Sequence, residues 1–116
     1  MSDKKRQVRD AFRKAVFKRD KFACRGPSCE FKSTKEKADQ ELDAHHITDR
    51  TLVPYGGYVR ENGVSLCPTC HFKAEAFHRN EPCEPGFSPP ELYAVIGSSA
   101  ELACVISARV LGPINA

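Results

Sequence analysis

No stretch of this sequence approaches the roughly 18 apolar residues that a bilayer-spanning helix needs. The first 21 residues carry charge throughout, so they lack the apolar core of a secretory signal. Both absences predict a chain that works inside the cell, in the cytoplasm and away from membranes. Thiols stay reduced there, which disfavours disulfides. A large net charge is missing too: the formal value is only +3 over 116 residues, of which 41% are hydrophobic. That balance argues against intrinsic disorder. Internal repeats and low-complexity segments are also absent. A chain of this length builds only a small core, so an added staple is expected.

The small net charge hides an asymmetry. Residues 1–21 hold nine basic and three acidic side chains, a local charge of +6, and residues 22–116 carry −3. A basic arm of this kind is the usual electrostatic footprint of a nucleic-acid partner. A solvated helix face that keeps the protein in solution is the plainer alternative.

Apolar residues Val8, Ala11, Phe12, Ala15 and Val16 recur at three- and four-residue spacing, which predicts a helix over residues 4–19. Residues 22–42 read as irregular, with a turn at Gly26-Pro27. Leu42 to Thr48 and Val64 to Leu66 read as strands joined by a long connection rich in Pro and Gly. A helix is expected from Pro68 to about Arg79. Pro82, Pro85, Gly86, Pro89 and Pro90 then break the chain. Two short helices should follow. Ser98 and Glu101 fit a capping box, Leu102, Val105, Ile106 and Val110 form an apolar stripe, and Gly112-Pro113 ends the last helix. Residues 1–90 would form the functional domain. Residues 91–116 would be a helical extension, packed on it or used for dimerisation, so the chain is expected as a monomer or homodimer.

Cys24 and Cys29 form one close pair, and Cys67 and Cys70 another. Tetrahedral zinc takes four such ligands, two from each knuckle. Disulfides or buried thiols are the alternatives. Cys83 fits neither pair and reads as a free thiol; Cys104 reads as a buried small hydrophobe. A zinc deaminase is excluded: Pro68 follows Cys67 instead of preceding it, and no His has a Glu two residues later.

Histidines supply the second cluster. His45 and His46 end the first strand, and His71 directly follows Cys70. Sharing one zinc would bring these segments together. His71, Glu75 and His78 fall on one helix face, which could offer ligands to a second metal. Adjacent histidines on a regular strand point to opposite faces, unless the strand ends or bulges there.

The segments Phe17-Lys18-Arg19-Asp20, Asp43-Ala44-His45-His46-Ile47 and Asn62-Gly63-Val64-Ser65-Leu66-Cys67-Pro68-Thr69-Cys70-His71 resemble the HNH (His-Asn-His) endonuclease family. The likeness spans roughly residues 12–79, about 60% of the chain. It implies an α+β fold: a small ββα-metal motif stapled by a structural zinc on Cys24, Cys29, Cys67 and Cys70, with a basic N-terminal helix and C-terminal helices. It further implies a metal-dependent hydrolase that cuts DNA phosphodiester bonds, nicking one strand per event and leaving 5′-phosphate and 3′-hydroxyl ends. His46 would be the general base, Asn62 would hold the connecting loop and help orient that base, and His71 would be a metal ligand. His45 and Glu75 would complete the set around one divalent ion, with Asp43 nearby and His78 at the rim. Mixed imidazole and oxygen ligation suits Mn²⁺ or Mg²⁺, and also Ni²⁺, Co²⁺ or Zn²⁺. Lys5, Arg6, Arg9 and Arg13 of the arm would bind the DNA backbone, with Arg50, Arg60 and Lys73 nearer the site. The resemblance points to a prokaryotic or phage setting. The alternative is a non-catalytic zinc-ribbon DNA-binding module.

Overall fold

The computed structural model describes residues 3–115, with side chains as far as residue 112. Helix α1 (Asp3–Arg19) opens the chain and buries Phe12, Val16 and Phe17, one stripe of its helical period. A short helix α2 (Ala38–Glu41) precedes strand β1 (Asp43–His46). Strand β2 (Gly63–Leu66) pairs with β1 in an antiparallel two-stranded sheet, His45 opposite Val64 and His46 opposite Gly63. Helix α3 (Pro68–His78) follows at once, then α4 (Pro89–Ile96) and α5 (Ala100–Asn115). The architecture is therefore a small α+β fold. No single helix is long and apolar enough to cross a membrane among the described residues.

A two-stranded sheet has little stability by itself and needs a partner to cover its face. Here α1 provides the cover. A Cβ on Gly63 would stand 2.5 Å from Val16 Cγ2 and 2.7 Å from the Phe12 ring, so only glycine lets the helix come this close. Val16, Ile47, Val64, Leu66, Leu92 and Ala103 share one core, which draws α4 and α5 onto the hairpin.

A buried carboxylate ties the same layers together. The Asp20 side chain is fully buried. It accepts from Arg19 at 2.9 Å, from Arg25 at 2.8 Å and from the Ser65 amide at 2.8 Å. Arg19 also donates to the Arg60 and Gly63 carbonyls, and Arg25 to Val95 O at 2.9 Å. A buried charge costs several kcal/mol unless paired in this way. Arg19 and Asp20, counted by sequence as part of a basic arm, are thus structural.

The C-terminal helices depart from expectation. Ser88 and Glu91 form the capping box, at the start of α4. Gly97 (φ 67°) ends α4 with Ser98 N bonded to Tyr93 O, the 6→1 bond of a Schellman turn. Ser99, rather than Ser98, caps α5 by accepting from Leu102 N at 3.0 Å, and Ser98 donates to Glu61 O instead. Helix α5 continues through Gly112-Pro113 to Asn115. Its apolar stripe also faces outward: Leu102, Val105 and Val110 are exposed, while Ala103, Ser107 and Leu111 are buried. Cys104 is half-buried, as is Cys83, and neither forms a disulfide. The first strand is shorter than expected: Ile47 N still donates in register to Asn62 O at 2.9 Å, but Thr48 N turns to the Asn62 side chain at 3.0 Å.

Candidate functional site

The four paired cysteines converge from two places in the chain. Cys24 and Cys29 sit on the turn after α1, Cys67 caps α3 and Cys70 lies in its first turn. Their four Sγ atoms all lie within 4.8 Å of one another, and Cys29 Sγ is 4.0 Å from Cys67 Sγ. Zinc–sulfur bonds of about 2.3 Å in a tetrahedron place sulfurs about 3.8 Å apart, so the group fits a structural zinc. Backbone amides reinforce the fit: Gly26 N and Cys67 N donate to Cys24 Sγ at 3.4 and 3.2 Å. A Cβ on Gly26 would stand 2.5 Å from Cys70 Sγ, so glycine is needed where the chain wraps the sulfurs. Burial pushes the Cys24 thiol up to about 11 and raises Cys70 as well. A soft dication would displace those protons and couple metal binding to folding.

The other flank of α3 carries His71, Glu75 and His78. His45 faces them from β1 and is almost fully buried. Glu75 is the hub: its Oε1 lies 3.0 Å from His71 Nε2 and 3.4 Å from His45 Nδ1. His45, Glu75 and His78 offer ligand atoms that all lie within 4.8 Å of one another. His71 stands beside this group, with its Nδ1 3.2 Å from Asp43 Oδ2. His78, placed at the rim by sequence, belongs inside. Its Nε2 donates to the His46 carbonyl at 3.0 Å, which leaves Nδ1 as its ligand atom. Neighbouring His45, with His71 and His78, draws the Glu75 carboxyl down to about 2. Burial lowers His45, whose Nδ1 makes no hydrogen bond despite its proximity to Glu75. A buried imidazole nitrogen facing an ionised carboxylate, without a hydrogen bond between them, fits a divalent cation.

His46 leaves the strand end in another direction. Its ring centroid lies 4.7 Å from Phe12 and 4.7 Å, edge-on, from Tyr58. Its Nε2 is buried without a partner. Burial, then the charges of His45 and Arg50, lower it to about 4, so it is neutral at neutral pH. The alternation of a strand sends His45 toward α3 and His46 toward α1. The hairpin end nevertheless sets His46 beside Glu75 and His78, the neighbours of His45. A cleft of about 260 Å³ is lined by Ala44, His46, Asp49, Arg50, Tyr58, His71, Glu75 and His78. Among the described residues, a larger groove between α1 and α5, about 540 Å³, holds no such cluster.

Asn62 is wholly buried and spends its whole amide on the connecting loop. Its Oδ1 accepts from Thr48 N at 3.0 Å and from the Tyr93 hydroxyl at 2.6 Å. Its Nδ2 donates to Thr48 O at 3.1 Å and Gly57 O at 3.3 Å. Asn62 makes no hydrogen bond to His46. It holds the loop that frames the cleft.

The expected DNA-binding cations divide. Arg50 lines the cleft and donates to the Tyr58 hydroxyl at 3.5 Å. Arg9 lies over the Tyr58 ring at 5.8 Å. Lys5 lines a groove beside that ring, and Arg6 is exposed. Arg13 instead pairs with Asp39 at 3.3 Å. Arg60 pairs with Glu61 outside the cleft. Lys73 also points elsewhere, to Glu84 at 3.7 Å and over the Phe87 ring. Helical period explains the last case, since position 73 lies about 200° around the axis from position 71. Sequence reasoning missed Tyr58 and understated His78. The spacing of four and seven from His71 was the available signal for His78; Tyr58 had none. In comparisons with known proteins, no family model, curated protein or solved structure matches the chain.

Proposed function

We propose that the chain is a metal-dependent endonuclease of the HNH type that hydrolyses DNA phosphodiester bonds, one strand per event. The observation that carries this reading is the cleft itself. It sets one neutral, buried, unpartnered histidine, His46, beside a histidine–carboxylate ligand group and one arginine. The hairpin-then-helix order, with the four-cysteine group behind it, supports the ββα assignment.

His46 is the proton acceptor in this reading. Neutral imidazole can take a proton from an attacking water. A phosphate seated against Arg50 would add negative charge nearby and raise the basicity that burial suppresses. His45, Glu75 and His78, with His71 beside them, would hold Mn²⁺, Mg²⁺ or a later divalent ion. When bound, that ion would stabilise the charge that develops on the phosphate and leaving oxygen. Asp43 accepts from His71 and orients its ring. Asn62 holds the loop, and Arg9 and Arg50 flank Tyr58 on the approach to the cleft.

Supercoiled plasmid tests the proposal directly. With Mn²⁺ or Mg²⁺ the protein should convert it to the nicked form, and His46→Ala should slow this by at least about 100-fold, the usual scale for a general base. Equal cleavage by both proteins would remove His46 from the role. DNA binding without cleavage under any divalent ion would leave the non-catalytic zinc-ribbon module.

A further inference from the structure

A second groove lies beside the cleft. Lys5, Val8, Arg9, Tyr55 and Tyr58 line its volume of about 210 Å³. Among the described residues no acidic side chain lines it. Tyr58 lines both spaces, so the groove and the cleft are neighbours across one side chain. The same ring carries the Arg9 guanidinium at 5.8 Å and meets the His46 ring edge-on at 4.7 Å. A cation of the groove and the histidine of the cleft are thus separated by one aromatic ring.

Tyr55 is the second feature. It is half exposed and adopts a left-handed backbone conformation, φ 55°. Residues other than glycine avoid that region and persist there where surrounding structure holds them, often at binding sites. Helix α5 does the holding. Ser107 donates to Pro54 O at 2.5 Å. A Cβ on Gly112 would stand 3.2 Å from the Tyr55 ring, so the helix backbone supports that ring closely.

We propose that this groove binds the nucleotide next to the phosphate to be cut, taken from an unpaired DNA strand, with Lys5 and Arg9 on its phosphate and the Tyr55 ring stacked on its base. The proposal rests on the DNA-cleaving reading above. Bases inside a duplex are already stacked, whereas an unpaired base offers its face to a side chain without the cost of unstacking. The substrate class is therefore single-stranded or locally unpaired DNA.

The test uses the zinc-loaded full chain carrying His46→Gln, so that the DNA stays intact. The probe is a short DNA oligonucleotide with one 2-aminopurine, presented as single strand and as duplex. The single strand should bind more tightly, and its fluorescence should be quenched by stacking. Adding Tyr55→Ala should weaken single-strand binding about tenfold and remove the quench, with duplex binding changed less than about twofold. Tyr55→Phe keeps a ring and should restore both. Single-strand affinity and quench unchanged in Tyr55→Ala, or an equal loss for both DNA forms, would overturn the subsite. Binding of duplex alone would overturn the subsite and leave the DNA reading standing. Binding of neither form would overturn the DNA reading itself, and the subsite with it.

Discussion

Helix α3 carries two groups of opposite character on eleven residues. At its start Cys67 and Cys70 join Cys24 and Cys29 in a sulfur group closed by a glycine turn and backbone amides. Further along, His71, Glu75 and His78 line an open cleft, and His45 is buried against Glu75. Cys70 and His71 are neighbours in sequence, yet about 100° of helical turn sends them to different faces. The difference is one of closure. Four soft ligands with no open position make a site that holds structure. A mixed set beside a cleft, with an unpartnered nitrogen, leaves room for a reacting group. One short helix thereby fixes the distance between the sulfur group and the histidine–carboxylate group.

The largest test breaks the sulfur end. Cys70→Ser should lose bound zinc and cooperative unfolding together, since structural zinc supplies on the order of 10 kcal/mol in small zinc domains. Metal analysis and a thermal melt followed by circular dichroism read both. A wild-type chain stripped of zinc that still melts as cooperatively would show that the sulfur end is no staple.

The next separates loop support from the staple. Asn62→Ala removes four hydrogen bonds from a wholly buried position. A loss of about 3 kcal/mol is expected in urea unfolding, because buried partners are left unsatisfied. Zinc content should not change. Zinc lost in proportion would mean that the two ends are not independent.

Acid sharpens the contrast at the cleft. His46 is held down to about 4 in the fold, chiefly by burial, against an ordinary value near 6.5. The unfolded chain therefore binds the extra proton first as pH falls. The stability contributed by keeping His46 neutral is full above about 6.5 and is lost progressively toward 4. Between about pH 7 and about pH 5 this amounts to about 2 kcal/mol of lost stability. His46→Phe should flatten the pH curve by that amount. Glu75 acts in a lower window, between its ordinary value and about 2, so it does not contribute to that slope. An identical slope in wild type and His46→Phe would contradict the burial argument.

The smallest effect concerns His78. His78→Ala should weaken Mn²⁺ binding at the cleft about tenfold, roughly 1.4 kcal/mol, and leave zinc content untouched. Titration calorimetry on zinc-loaded protein reads it. Unchanged Mn²⁺ affinity would return His78 to the rim and leave His45, His71 and Glu75 as the set.

Much of this arrangement was legible because its causes are local. The bounds of α1 and α3 follow from apolar period, a proline in the first turn and the breakers beyond. The two cysteine pairs are defined by their spacing. The last helix was misread for a physical reason. Period alone selects the most apolar stripe, Leu102, Val105, Ile106 and Val110. The fold instead buries Ala103, Ser107 and Leu111, small side chains among them, because α5 lies close against the turn at Pro54 and Tyr55. Lys73 and Arg60 were assigned to the site by nearness in sequence, which does not say which way a side chain faces. Arg19 and Asp20 were counted as surface charge. Their burial depends on Arg25 and the Ser65 amide, contacts that only a folded chain makes.

By itself the sequence determined the ligand chemistry: four cysteines in two knuckles, and histidines and a glutamate spaced along one helix face. Residue type and helical period are local properties, and both survive in any fold that contains the helix. Tertiary structure decided which of those residues meet. It brought His45 and His78 to Glu75, turned His46 between Phe12 and Tyr58, and withdrew Asn62 into the loop. Those outcomes depend on how closely α1 and α5 pack on a two-stranded hairpin. Gly63, Gly112 and a buried Asp20 permit that packing, and its energy comes from contacts between segments far apart in the chain.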